Sequence, residues 1–173
     1  MGDTPITALA RVFEAVSIPY VLIGGHAVNV WLEPRFTADL DVAVEAGPSD
    51  VERLADALAR GGYTRERIHG AEQPSGPDFV RFVSANREVV LEVQVAKTRF
   101  QREVIQRARV SGDGVRVATV EDLIVMKLIA DRAKDRVDLL GLAALSGVDW
   151  AYVERWAVEW GVADRLRRLR ERA

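Results

Sequence analysis

The 173-residue chain has no cysteine, two histidines and, against 21 arginines, three lysines. Without thiols there is no disulfide framework, no thiolate zinc site and no cysteine nucleophile, and two histidines are too few for a histidine-rich metal centre. Any metal must be held by oxygen, which selects hard cations. No apolar run approaches the roughly 18–20 residues of a membrane span. The opening Met-Gly-Asp-Thr-Pro lacks the basic and apolar regions of a signal peptide. A soluble cytoplasmic protein with no membrane partner is expected. A net charge of −2 excludes a globally basic nucleic-acid binder. What the chain does have is 49% hydrophobic residues, enough at this length for one core without staples.

Thr4-Pro5 followed by Ile6, Leu9, Val12, Phe13 and Val16 combines a capping residue, an N-terminal proline and a helical stripe. The run Tyr20-Val21-Leu22-Ile23 is too short for a helix and stops at Gly24-Gly25, which predicts a buried strand feeding a glycine turn. A short helix from His26 to Leu32 should end at Pro34, and a second strand should run from Leu40 to Val44. A helix is expected from Ser49 to Arg60, stopped by Gly61-Gly62. His69 to Asp78 has no periodicity and reads as a loop. Phe79 to Ser84 and Val89 to Val95 should form adjacent antiparallel strands, followed by a helix from Thr98 to about Ala108 and a short strand from Val115 to Ala118. After Thr119 the pattern is helical, with a break near Ala133, an Asp149-capped helix carrying Trp156 and Trp160 in the core, and an arginine-rich end. The expected fold class is α+β, with residues 1–118 an α+β core and residues 119–173 a helical subdomain packed on it.

The chemistry concentrates at Gly24-Gly25-His26 and Asp39-Leu40-Asp41. Side chains alternate across a strand, so Asp39 and Asp41 share a face and can share divalent cations. Glu92 lies inside a later apolar strand, where a carboxylate is costly without a partner. Taken singly, these are turn or strand-edge acids and a water-facing glutamate. Taken in this order, they outline a two-metal site. Gly24 and Gly25 allow close backbone approach to a ligand, and the next helix offers its N–H groups to phosphate, although Gly-Gly before a helix is also an ordinary turn. Arg35 and Thr37 suit either phosphate contact or bracing of the loop. His26 reads as structural or as a hydrogen-bond donor near phosphates.

Val21-Leu22-Ile23-Gly24-Gly25-His26-Ala27-Val28-Asn29 followed by Arg35-Phe36-Thr37-Ala38-Asp39-Leu40-Asp41-Val42 resembles the DNA polymerase β nucleotidyltransferase superfamily. Within it the chain looks most like the AbiEii-type toxins. The similarity continues through Glu92-Val93-Gln94-Val95-Ala96-Lys97-Thr98 and from Glu121 to Leu139. The resemblance implies a nucleotidyltransferase-like mixed sheet flanked by helices. It also implies transfer of an NMP from an NTP, with two Mg²⁺ ions (Mn²⁺ as substitute) on Asp39, Asp41 and Glu92, and pyrophosphate released. The third acid of the superfamily is usually Asp; here it is Glu. Lys127 is assigned by the resemblance to nucleotide phosphate, and Asp135 or Asp138 to positioning it. The acceptor implied is the 3′ end of an RNA such as tRNA, with an antitoxin as partner. Two alternatives stand beside it: a small-molecule acceptor, since aminoglycoside and lincosamide adenylyltransferases share this size and layout, and a catalytically silent nucleotide-binding or antitoxin-like module.

Lys127 sits on the inner face of its helix, and its simplest partner from spacing alone is Asp131, one turn on. Two basic stretches, Lys97 to Arg109 and Arg165 to Arg172, are either solvated faces or contacts for a polyanion.

Overall fold

The computed structural model describes residues 4–172. The chain divides into two compact units: the chain up to His26 together with Phe36–Ala118, and Ala27–Arg35 together with the chain from Thr119 on. The short segment Ala27–Arg35 thus groups with the later helices and not with the strands that flank it in sequence.

The first unit is a seven-stranded mixed sheet with helices. Its elements are α1 (Pro5–Ala15), β1 (Tyr20–Ile23), the start of α2 (Gly24–Trp31), β2 (Asp39–Val44), α3 (Pro48–Arg60), β3 (Tyr63–His69), β4 (Phe79–Ser84), β5 (Val90–Val95), α4 (Arg99–Arg107), β6 (Arg109–Val110) and β7 (Arg116–Val117). The strands lie in the order β3-β4-β5-β2-β1-β7-β6. β2 runs parallel to β5 and antiparallel to β1. Thr4 caps α1 as its spacing predicts, accepting from the Thr7 N–H, with Pro5 in the first turn. Leu9 and Phe13 of α1 meet Leu22, Leu40, Val42 and Leu91 on one face of the sheet, and Phe13 stacks on Tyr20 at 4.9 Å between ring centroids. Burial of these apolar residues on one side leaves the alternate positions, Asp39, Asp41 and Glu92, on the other.

Two strands escape the sequence pattern. β3 is built from Tyr-Thr-Arg-Glu-Arg-Ile-His, almost wholly exposed, and pairs only with β4. It is an edge strand, and edges tolerate charge on both faces; a register shift between Arg65 and Arg67 further disrupts it as a template for another chain. β6 is two residues long and closes a hairpin with β7. The helix expected from His26 begins two residues earlier, at Gly24 itself.

The second unit comprises the rest of α2 with α5 (Val120–Ala130), α6 (Ala133–Ala143), α7 (Trp150–Glu159) and α8 (Ala163–Arg170). Leu123, Ile124, Leu142, Val153 and Trp156 form its core, whereas Trp160 is 39% exposed, so only the first of the two expected core tryptophans is buried. Thr119 caps α5 by accepting from the Asp122 N–H and donating to its carboxylate at 2.7 Å. Tyr152 donates to the other oxygen of Asp122, so this buried acid is satisfied twice. Among the described residues no helix is long and apolar enough to cross a membrane.

Candidate active site

Gly24 ends β1 with φ +67°, a conformation that L side chains rarely adopt, and a Cβ there would run into the Asp41 carboxyl group. A Cβ on Gly25 would stand 2.5 Å from Thr37 Oγ1. The two glycines therefore let the first turn of α2 settle against Thr37 and Asp41, and any side chain at Gly24 would occupy the space beside the carboxylate. The β1/β2 register, Ile23 opposite Asp41, explains the contact: the chain leaves its strand next to that acid. His26, half-buried in the same turn, is pushed below the ordinary imidazole value by burial, partly offset by a hydrogen bond to the Thr37 backbone, and so is neutral at pH 7.

Asp39 and Asp41 flank buried Leu40 and point to the same face of β2. Two hard oxygen donors beside a helix start suit Mg²⁺, which takes one or two carboxylates and completes its shell with water and phosphate oxygens. Glu92 is the in-register neighbour of Asp41 on β5. Its carboxylate, however, accepts from Arg81 Nη1 of β4 at 3.1 Å, and among the described residues no three His, Cys, Asp or Glu side chains are grouped to hold a metal. Gly24, Gly25, Thr37, Asp39, Asp41 and Glu92 are thus brought together in the strand unit, but with Glu92 turned to Arg81. Arg81 is missing from the motifs. Its signal was the short turn between β4 and β5, whose pairing of Val83 with Val90 places Arg81 opposite Glu92.

Arg35, Lys127, Asp135 and Asp138 assemble in the helical unit. Lys127 Nζ donates to Asp135 at 3.0 Å and to Asp138 at 2.6 Å. Asp138 also receives a two-pronged contact from Arg35, at 2.8 and 2.6 Å, and Asp135 a bond from Arg132 Nε at 2.8 Å. Asn29 brackets the Arg35 backbone, donating to its carbonyl and accepting from its N–H. Burial raises the Asp135 and Asp138 carboxyls, but hydrogen bonds from Arg132 and Lys127, and from Arg35 and Lys127, outweigh it and hold both below the usual aspartate value. The Lys127–Asp131 pair allowed by spacing does not form. Asp131 leaves the helix with φ +49° and meets Arg165 at 3.3 Å. The helical reach that would align positions 127 and 131 ends at Ala130.

The basic stretches separate by environment. Lys97 donates to the Ser75 and Gly76 carbonyls at 2.6 and 3.0 Å. On α8, Arg167 pairs with Asp164 and Arg170 with Glu154. Arg168 and Arg172 instead line, with Arg136 of α6, a groove of about 240 Å³ floored by Leu128, Leu139 and Leu169; these three arginines form no ion pair among the described residues.

Residues 7–154 match the family model described as the nucleotidyl transferase AbiEii toxin of a type IV toxin–antitoxin system. No curated protein matches the chain significantly. Among solved structures, the JHP933 protein of Helicobacter pylori is 24% identical over 80% of this chain, with a TM-score of 0.50. The lincosamide antibiotic adenylyltransferase LnuA, lincomycin-bound, is 14% identical over 84% of this chain and all of its own length, with a TM-score of 0.55. The ANT(2")-Ia structure with adenylyl-2"-tobramycin is also 14% identical, covering 94% of this chain and 91% of that one at a TM-score of 0.52. At these identities the likeness is one of fold. The chain spans 63% of the length of the Helicobacter protein.

Proposed function

Because the chain belongs to the AbiEii nucleotidyl transferase toxin family, we propose that it moves an NMP from an NTP to a hydroxyl of an RNA acceptor. The acceptor oxygen attacks the α-phosphorus, the bond to the β-phosphate oxygen breaks, pyrophosphate departs and the acceptor gives up its proton. The observation that carries this reading is the fit of Gly24 and Gly25 against Asp41 and Thr37, which sets a helix start beside two carboxylates on one sheet face.

In this reading the N–H groups of the first turn of α2 bind triphosphate oxygens, since they lack partners within the helix. Neutral His26 adds a polar neighbour without repelling a cation. Asp39 and Asp41 hold Mg²⁺, two ions in the fully loaded site, with Mn²⁺ able to replace them. When bound, the ions supply charge neutralisation at the phosphates and make the acceptor hydroxyl a better nucleophile. Glu92, in register beside Asp41, completes the acid set once it leaves Arg81. For Arg35, Lys127, Asp135 and Asp138 the geometry favours a holding role over direct phosphate contact, because the Lys127 ammonium is already engaged by two buried carboxylates.

The acceptor class is read from the arginine-lined groove. Three guanidinium groups with no carboxylate partner among the described residues, beside an Asp131 already paired with Arg165, suit phosphodiesters and repel a cationic aminoglycoside. A tRNA 3′ end fits this chemistry, an antitoxin is the partner that the family description implies, and NTP and RNA pools put the reaction in the cytoplasm. Incubation of the protein with Mg²⁺, each labelled NTP and either total RNA or a panel of aminoglycosides and lincosamides tests it. Label is expected on RNA. Label on small molecules alone would overturn the acceptor assignment, and nucleotide binding without label on either would favour a silent module. The Arg168→Glu/Arg172→Glu protein should lose RNA modification, and Arg167→Glu/Arg170→Glu, equal in charge change but on paired residues, should lose much less.

A further inference from the structure

Arg81, Glu92 and Asp41 stand side by side in one row across β4, β5 and β2. Neighbouring strands are about 4.8 Å apart, so the Glu92 carboxylate has two destinations: toward β2 and Asp41, or toward β4 and Arg81. It takes the second, at 3.1 Å. On its other side Arg81 Nε lies 3.2 Å from Glu66 of the edge strand β3, and Glu66 is 3.1 Å from Arg87 of the turn between β4 and β5. Arg81 faces Glu92 from the side of β5 opposite Asp41 and so holds the longest of the three side chains away from the other two.

The hold is light. The Arg81 and Glu92 side chains keep 30% and 25% of their surface exposed, so water screens part of their attraction and the pair can open. Arg81 Nε, although near Glu66, is not aligned to donate to it. Side-chain length matters as well: the extra methylene of glutamate is what lets this carboxyl reach across to β4, where an aspartate would stay on its own strand.

We propose that Arg81 is a positioning residue that keeps Glu92 in reserve, so that Asp39 and Asp41 bind a first divalent cation unaided while a second is bound only when Glu92 exchanges Arg81 for it. This rests on the nucleotidyltransferase reading. The structure thus departs from a site whose three acids are preassembled. Arg81 sets how readily the second cation enters, and an anionic acceptor that engages the guanidinium would release Glu92 at the moment the reaction needs it.

Titration of the 173-residue chain with Mn²⁺, followed through the paramagnetic resonance signal of the free ion, tests the proposal without any turnover. Wild type is expected to show one tighter and one weaker site. Arg81→Gln should tighten the weaker site about fivefold, the scale expected for loss of an exposed ion pair, and Glu92→Asp should tighten it similarly. In the Arg81→Gln/Glu92→Gln protein that gain should vanish. An unchanged weaker site in Arg81→Gln would overturn the proposal, as would tightening that persists in the double variant, since the effect would then be general charge and not Glu92. Far-ultraviolet circular dichroism checks that each variant is folded. Loss of the tighter site in Asp39→Asn keeps the underlying reading in place whatever happens at Arg81. Absence of any Mn²⁺ binding by wild type would overturn both.

Discussion

Replacing Lys127 by Met removes one charge from the buried network and keeps most of the side-chain volume. The Lys127, Asp135 and Asp138 side chains are 6%, 1% and 3% exposed, so solvent screens little of what is lost. Breaking a buried ion pair by removing one partner costs about 3–5 kcal/mol. Because Arg35 and Arg132 remain on the two aspartates, the lower end, about 3 kcal/mol, is the expected loss. For a chain of this length that is roughly 6–12 °C in Tm. The pH dependence has a definite sign. Asp135 and Asp138 titrate below their unfolded value near 3.9, so their contribution is fully present above about pH 4 and fades as pH falls through the depressed native values. The gap in stability between wild type and Lys127→Met should therefore be full at pH 7 and close in acid. Thermal and urea unfolding at pH 7 and pH 3 measures it, and calorimetry with a nonhydrolysable NTP, run below the variant's Tm, measures ligand affinity. A Tm within about 2 °C of wild type, with NTP binding lost, would refute the holding role and return Lys127 to the phosphates.

Asp39→Asn and Asp41→Asn should each abolish Mg²⁺-dependent label transfer while leaving the circular dichroism spectrum unchanged, because neither side chain is part of the apolar face of β2. Gly24→Ala should cost about 1–3 kcal/mol from the left-handed backbone alone and also weaken Mn²⁺ binding, since the added methyl displaces the Asp41 carboxyl; Gly62→Ala, at φ +82° with open space around it, should show only the stability loss. Asp138→Asn should weaken the anchoring of Arg35, measured as faster amide exchange at Arg35 and Phe36; unchanged exchange there would remove Asp138 from that role.

The element order and the reactive residues of the strand unit were legible in the sequence because they depend on short-range chemistry. Alternation in Asp39-Leu40-Asp41-Val42 assigns faces, a proline and a threonine open α1, and two glycines end β1. β3 was hidden for a physical reason: an edge strand buries almost nothing, so it carries no apolar alternation to read. Long-range pairing is different in kind. Spacing within one helix points Lys127 to Asp131, and it is the left-handed residue ending α5 and turning α6 back that gives Lys127 to Asp135 and Asp138 instead. The same holds for Glu92. Its place in an apolar strand announced a carboxylate that needs a partner, but whether that partner is a cation beside Asp41 or the guanidinium of Arg81 depends on which strands lie on either side of β5, and only the assembled sheet decides that.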